Sequence, residues 1–189
     1  MAPLTYLVSA LLILIIAYVV FRIAVRRDYR RSGRLTPLST FLEYVAILSW
    51  VCFANLNIPR GWPAVHVGLL QEVVGWVLFI GGWLIVFAAF FRLGIRRSHG
   101  LQVNTLRQTG LYRLTRNPQV VALIVAMFGY LVLWPTWRNV GVLILMVVLC
   151  HLMILSEEEH LRDIFGEEYE RYCRRVPRYI RLRRVAQAA

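Results

Sequence analysis

The chain has 189 residues, of which 59% are hydrophobic and 17% charged, with a mean hydropathy of +0.59. That apolar share lies above the roughly 45–50% of soluble domains, and it argues against a disordered tail, a nucleic-acid-binding domain or a secreted disulfide scaffold. Twenty-two basic residues, all of them arginine, face ten acidic ones for a net charge of +12, so charge and hydropathy must be segregated along the chain.

Five apolar runs are expected to be helical membrane spans: about Leu4 to Val25, Leu38 to Ile58, Val67 to Phe91, Gln119 to Trp134, and Val140 to Leu155. Crossing the hydrocarbon takes on the order of 20 residues, so the fourth run is short and borrows from the Arg116–Pro118 approach. Helices are required because lipid offers no partner for an open strand's backbone groups. A cleaved signal peptide carries its positive charge ahead of the apolar stretch. Here Arg22, Arg26, Arg27, Arg30, Arg31 and Arg34 close the first run, which reads as a retained anchor.

Arginine placement sets an expected orientation. The first and third connections and the tail carry twenty arginines, whereas the two alternate connections carry only Arg60 and Arg138. The positive-inside rule then puts the N-terminus outside and the C-terminus in the cytoplasm, in a prokaryotic inner membrane. Trp62, Trp134 and Trp137 fall at the outer interface, where amphipathic rings settle. Short outer connections suggest antiparallel hairpins of spans two and three and of spans four and five. Cys52, Cys150 and Cys173 are expected to stay reduced.

The long polar stretches lie on the cytoplasmic side, one from Arg96 to Pro118 and one beginning at Ser156. Pro118 suits the first turn of a helix, which makes Asn117 its N-cap, with a side-chain oxygen able to accept a backbone N–H. By itself Arg-Asn-Pro is no more than a helix start at the membrane surface. Glu157, Glu158 and Glu159 crowd three carboxylates where the fifth span leaves the membrane. They repel one another and oppose the helix dipole, so either arginines compensate them or they form a solvated acidic face. Leu161 and Phe165 continue the helix and Gly166 breaks it. Glu157 and His160 have the i, i+3 spacing of di-iron bundles, but only one such pair exists and no metal is expected. Glu43 and Glu72 are intramembrane acids, functional candidates by default, with an interfacial polar contact as the simpler role.

Taken together, Gly110, Tyr112, Arg116, Asn117 and Pro118 before a helical hairpin, and Glu157, Glu158, Glu159, Phe165, Gly166, Glu168, Tyr169 and Tyr172 after it, carry a resemblance. So does the tail Arg175-Val176-Pro177-Arg178. The pattern resembles the membrane methyltransferases that include isoprenylcysteine carboxyl methyltransferases and phospholipid N-methyltransferases. It implies an all-α polytopic membrane enzyme, with residues 1–92 a three-helix membrane region and 93–189 the catalytic region. It implies a cytoplasmic S-adenosylmethionine site made by the loop before helix four and the end of helix five. The cofactor residues it points to are Asn104, Thr105, Leu106, Arg107, Tyr112, Asn117, Pro118, Glu157 and Glu158, with Glu158 and Arg116 in catalytic roles. The acceptor is expected to be a lipid or small lipophilic molecule entering from the bilayer, with no nucleic-acid partner.

Three positions depart from the pattern. Val120 stands where a Tyr follows the Pro, Ala122 replaces a Gly, and Met153 falls where some isoprenylcysteine enzymes have an Arg for the substrate carboxylate. Two other readings stay open on the sequence: a membrane reductase using a nicotinamide cofactor, and a non-catalytic relative.

Overall fold

A computed structural model describes residues 2–58, 68–93, 106 and 108–180. The described regular structure is all helical. Helix α1 runs Pro3–Ser32, with a π-helical stretch at Val19–Val25; α2 is Pro37–Leu56 and α3 is Leu69–Leu93. A 3-10 turn at Gly110–Arg113 leads into α4, Pro118–Leu133, and α5 is Trp137–Arg175.

Local chemistry sets the ends. Gly33 stops α1 in the left-handed region at φ 65, which costs a residue without Cβ little. Buried Asp28 then accepts from Thr36 N at 3.0 Å and from Thr36 Oγ1 at 2.5 Å, fixing the turn into α2. The Thr36 hydroxyl also accepts from Ser39 N at 3.3 Å, with Pro37 in the first turn. Thr136 repeats the arrangement for α5, accepting from Asn139 N at 3.3 Å. Both are ordinary side-chain caps for orphan first-turn amides.

Among the described residues four helices are long and apolar enough to cross a membrane, α1, α2, α3 and α5, and the chain is an integral membrane protein. Helix α4, the fourth expected span, has 16 residues. At 1.5 Å per residue it reaches about 24 Å, short of a hydrocarbon core of about 30 Å. Helix α5 overshoots the expected end at Leu155, with 39 residues in all. Its apolar part ends there, and beyond it the helix carries charge out of the span until Gly166, at φ 48 and ψ −121, kinks it. Helix α1 likewise continues seven residues past Val25 as an arginine-rich extension.

Helices α1, α2 and α5 share one core, including Ala17, Phe21, Ala46, Trp50, Met146 and Ile154. Polar ties link them: Trp50 Nε1 donates to Val142 O at 3.1 Å, Tyr6 Oη to Arg138 O at 2.8 Å, and Ser156 Oγ to Phe21 O at 2.6 Å. The last two ties join the two starts and then points farther along each helix in the same order, so α1 and α5 run parallel. The expected pairing of spans two and three is not the main one, because α3 packs along α4. Gly82 faces Ala122 and Ala126 across that contact, and Gly129 faces Gly75 and Leu78. Small residues let membrane helices approach backbone to backbone where no hydrophobic drive pulls them together. Large apolar side chains such as Leu11, Ile15, Leu48, Val77 and Leu84 are left on outer faces, as lipid-facing positions require.

Candidate functional site

The end of α1, the start of α4 and the charged half of α5 meet at one end of the bundle. The acidic triplet supplies the anchor points, and each of its carboxylates has different surroundings. Glu159 pairs with α1: Arg22 Nη2 donates to its Oε1 at 2.8 Å and Arg26 Nε to its Oε2 at 2.6 Å. Burial alone would raise this carboxyl, but the hydrogen bonds and charges of Arg22 and Arg26 outweigh it and hold the group below its usual range.

Glu158 points the other way and is buried. Arg178 forks onto it, Nε to Oε1 at 3.0 Å and Nη2 to Oε2 at 2.7 Å. Arg116 Nη1 lies 3.0 Å from Oε1 and Arg162 Nη2 lies 3.7 Å from Oε2. A buried carboxylate is tolerated only when paired and hydrogen-bonded. Its hydrogen bonds, followed by its charge, raise the Arg178 guanidinium against the opposing cost of burial. The arginines expected to compensate the triplet thus come from both sides, with α1 serving one glutamate and the loop and tail another.

Glu157 is exposed, and it lies close enough to Tyr29 and Glu43 to interact electrostatically with both. The surrounding protein, followed by the charge of Glu158, raises its carboxyl above the ordinary value. His160, one turn on, stacks its ring on Tyr29 at 3.9 Å and 6°.

The approach to α4 is fastened to the end of the chain. Asn117 does sit at the N-cap of α4, with Pro118 in the first turn, but its side chain makes no cap bond. Instead Asn117 Nδ2 donates to Arg178 O at 3.1 Å, beside Thr115 Oγ1, which donates to the same carbonyl at 3.1 Å. The expected capping oxygen is thereby corrected: a tail carbonyl takes the amide. Arg116 Nη1 also donates to Cys173 Sγ at 2.8 Å, while Arg116 Nε and Gln119 Nε2 are buried without a partner among the described residues. Tyr172 Oη donates to Tyr112 O at 2.7 Å, which docks the turn on α5. Leu106 packs on Tyr169, Tyr172 and Val176.

The structure therefore brings together Leu106, Tyr112, Arg116, Asn117, Pro118 and Glu158, whereas Glu157, next to Glu158 in the chain, lies on the side of Tyr29 and Glu43. Asn104, Thr105 and Arg107 lie outside the described residues. Sequence reasoning did not assign Arg178, Arg162, Arg22 or Arg26 to this cluster. The one signal for Arg178 was its place in the Arg-Val-Pro-Arg tail. For the α1 arginines there was only their charge.

An all-helical integral membrane protein with a charged cluster capping one end of its bundle is the class that fold and site define. The sequence pattern of the family described as phospholipid methyltransferase matches residues 70–168, just over half of the chain. The chain belongs to this family of methyltransferases, whose members use S-adenosylmethionine. It is 26% identical over 155 residues to a probable protein-S-isoprenylcysteine O-methyltransferase of Oryza sativa subsp. indica, covering 78% of this chain and 80% of that protein. The same values hold for the protein of that description from Oryza sativa subsp. japonica. No solved structure matches the chain. The family sets aside the reductase reading.

Proposed function

We propose that the protein methylates a lipid or small lipophilic acceptor, with S-adenosylmethionine held where the loop before α4 meets the charged half of α5. When bound, this cofactor supplies an activated methyl group on a sulfonium. The observation that carries the reading is that Arg116, whose Nη1 lies 3.0 Å from the buried Glu158 carboxylate, keeps its Nε buried without a partner among the described residues, as does Gln119 Nε2 in the first turn of α4. Buried polar atoms are nearly always satisfied, so unpaired donors at the start of α4, with Glu158 beside Arg116, suit a ligand bearing both a carboxylate and an ammonium.

Each residue then has a defined task. Arg116 takes the ligand carboxylate, since a guanidinium grips it directionally. Glu158 fixes Arg116 by their 3.0 Å ion pair. Glu157, Asn117 and the loop residues Asn104, Thr105 and Arg107 take the ammonium and hydroxyl groups. Leu106 and Tyr112 supply apolar and ring surface, and Pro118 sets the entry of α4. The chain's main contribution to methyl transfer is alignment and exclusion of water. Where the acceptor is neutral, Glu157 is better placed than Glu158 to receive its proton, because its carboxyl is raised and no arginine among the described residues pairs with it. Arginine asymmetry supports a cytoplasmic location for this end, and the lipid-facing helices support lateral arrival of the acceptor.

The test is transfer of labelled methyl from S-adenosylmethionine into the lipid extract of membranes holding the wild-type chain or Glu158→Gln. Label in lipid or in a small lipophilic product with wild type, lost in the variant, supports the reading. Equal labelling by both would remove Glu158 from the site, and no transfer by folded wild type would overturn the function.

A further inference from the structure

The segment after α5 is a strap whose backbone and side chains do separate work. Val176 leaves the helix in an extended conformation, at φ −117 and ψ 126, and Pro177 and Arg178 then pass along the start of α4. Two carbonyls fasten it: Pro177 O accepts from Arg116 N at 3.0 Å, and Arg178 O accepts from Thr115 Oγ1 and Asn117 Nδ2, each at 3.1 Å. The next residue is tied to the core, with Tyr179 Oη 2.8 Å from His151 Nδ1. The strap is therefore held in place without the Arg178 side chain, whose hydrogen bonds among the described residues go to Glu158.

Glu158 is a flexible side chain whose orientation must come from its partners. Arg178 contacts both carboxylate oxygens in a two-pronged arrangement, which fixes the plane of the group. Arg116 approaches one oxygen and divides its Nη1 with Cys173. Arg162 stands at 3.7 Å and is 41% exposed, too far and too wet to set an angle. Among the described residues, only the Arg178 fork defines the carboxylate geometry, and through it the position of Arg116.

We propose that Arg178 is a positioning residue for the methyl-transfer reaction, holding the Glu158 carboxylate in the orientation in which it sets Arg116 against the cofactor. This rests on the reading above that Glu158 and Arg116 belong to the cofactor site. The tail is thereby a working wall of that site rather than a trailing terminus.

The experiment uses the full chain in detergent, with S-adenosylmethionine and its demethylated product titrated calorimetrically. Arg178→Ala leaves the strap's backbone bonds in place but should weaken binding at least about tenfold, the scale of a lost hydrogen bond to a charged group. Arg178→Lys, with charge but no fork, should recover part of that loss, which a merely structural role for the tail would not require. Glu158→Asp draws the carboxylate back from Arg178, so adding Arg178→Ala to it should weaken binding much less than in the wild-type background. If Arg178→Ala does not fold, Arg178→Gln replaces it in the same series.

Wild-type affinity in Arg178→Ala overturns the proposal, as does a full multiplicative loss in the Glu158→Asp background. Glu158→Gln separates the two readings. If it loses binding while Arg178→Ala does not, only the positioning role fails; if it binds as wild type does, the site assignment fails and takes this role with it.

Discussion

Replacing Glu158 by alanine strands cations that the fold has gathered around one carboxylate. The Glu158 side chain is 3% exposed and that of Arg116 is 11% exposed. Arg178 and Arg162 are 31% and 41% exposed and can rehydrate. Removing one partner of a buried pair costs about 3–5 kcal/mol. Because only Arg116 is left deep, the expected loss is at the low end, about 3 kcal/mol. Chemical unfolding in a mild detergent would measure it. Joining Glu158→Met with Arg116→Met removes the stranded charge as well, so the double variant should be less destabilised than the sum of the two single changes. A Glu158→Ala protein as stable as wild type, or a strictly additive double variant, would refute the claim that this ion cluster is a buried, interdependent unit.

The α3–α4 contact makes an opposite-signed pair of neighbours. A Cβ on Gly82 would lie 2.5 Å from Ala126 N and 2.7 Å from Ala122 O, backbone atoms that cannot swing aside, so Gly82→Ala should destabilise by about 1–3 kcal/mol. Gly81 has none of the described residues within 4 Å, and Gly81→Ala should be neutral or stabilise by up to about 1 kcal/mol; unfolding curves of both variants check the contrast. Ser156→Ala removes the donor to Phe21 O in the π-helical stretch, with an expected loss of about 1 kcal/mol in the same measurement. Glu159, whose folded carboxyl lies below its unfolded range, contributes stability that is present above the unfolded pKa and lost as pH falls through the folded one. Melting temperature should therefore drop below about pH 4 in wild type and drop less in Glu159→Gln. A parallel decline in both proteins would show that the Arg22 and Arg26 pairing carries no such linkage.

Hydropathy made the spans legible because apolar length is a property of the sequence alone. It located α2, α3 and the start of α1 to within a few residues, and Pro37 and Pro118 marked helix starts through their local preferences. It did not show that α1 and α5 continue well past their apolar ends, since charged residues conceal a helix from a hydropathy reading. Their continuation depends on contacts across the bundle, Arg22 and Arg26 with Glu159 and Tyr29 with His160. The pairing of α3 with α4 was hidden for a similar reason: glycine positions permit a close approach but do not name the partner. Asn117 shows the limit at the site itself. Its place at the start of α4 was readable, whereas the loss of its cap bond to a carbonyl 61 residues away was not. The acidic triplet and Arg116 stood out by motif, but Arg178 gains meaning only from the strap that folds back on α4.

The central claim is that one ligand site joins the start of α4 to the glutamates of α5. Calorimetric binding of S-adenosylmethionine to the purified full chain, wild type against Arg116→Ala and Glu157→Ala, tests it most directly. The account predicts binding by wild type and a strong loss in each variant, because the two residues approach the ligand from opposite elements. Unchanged binding in both variants, or no binding by a folded wild-type protein, would contradict it.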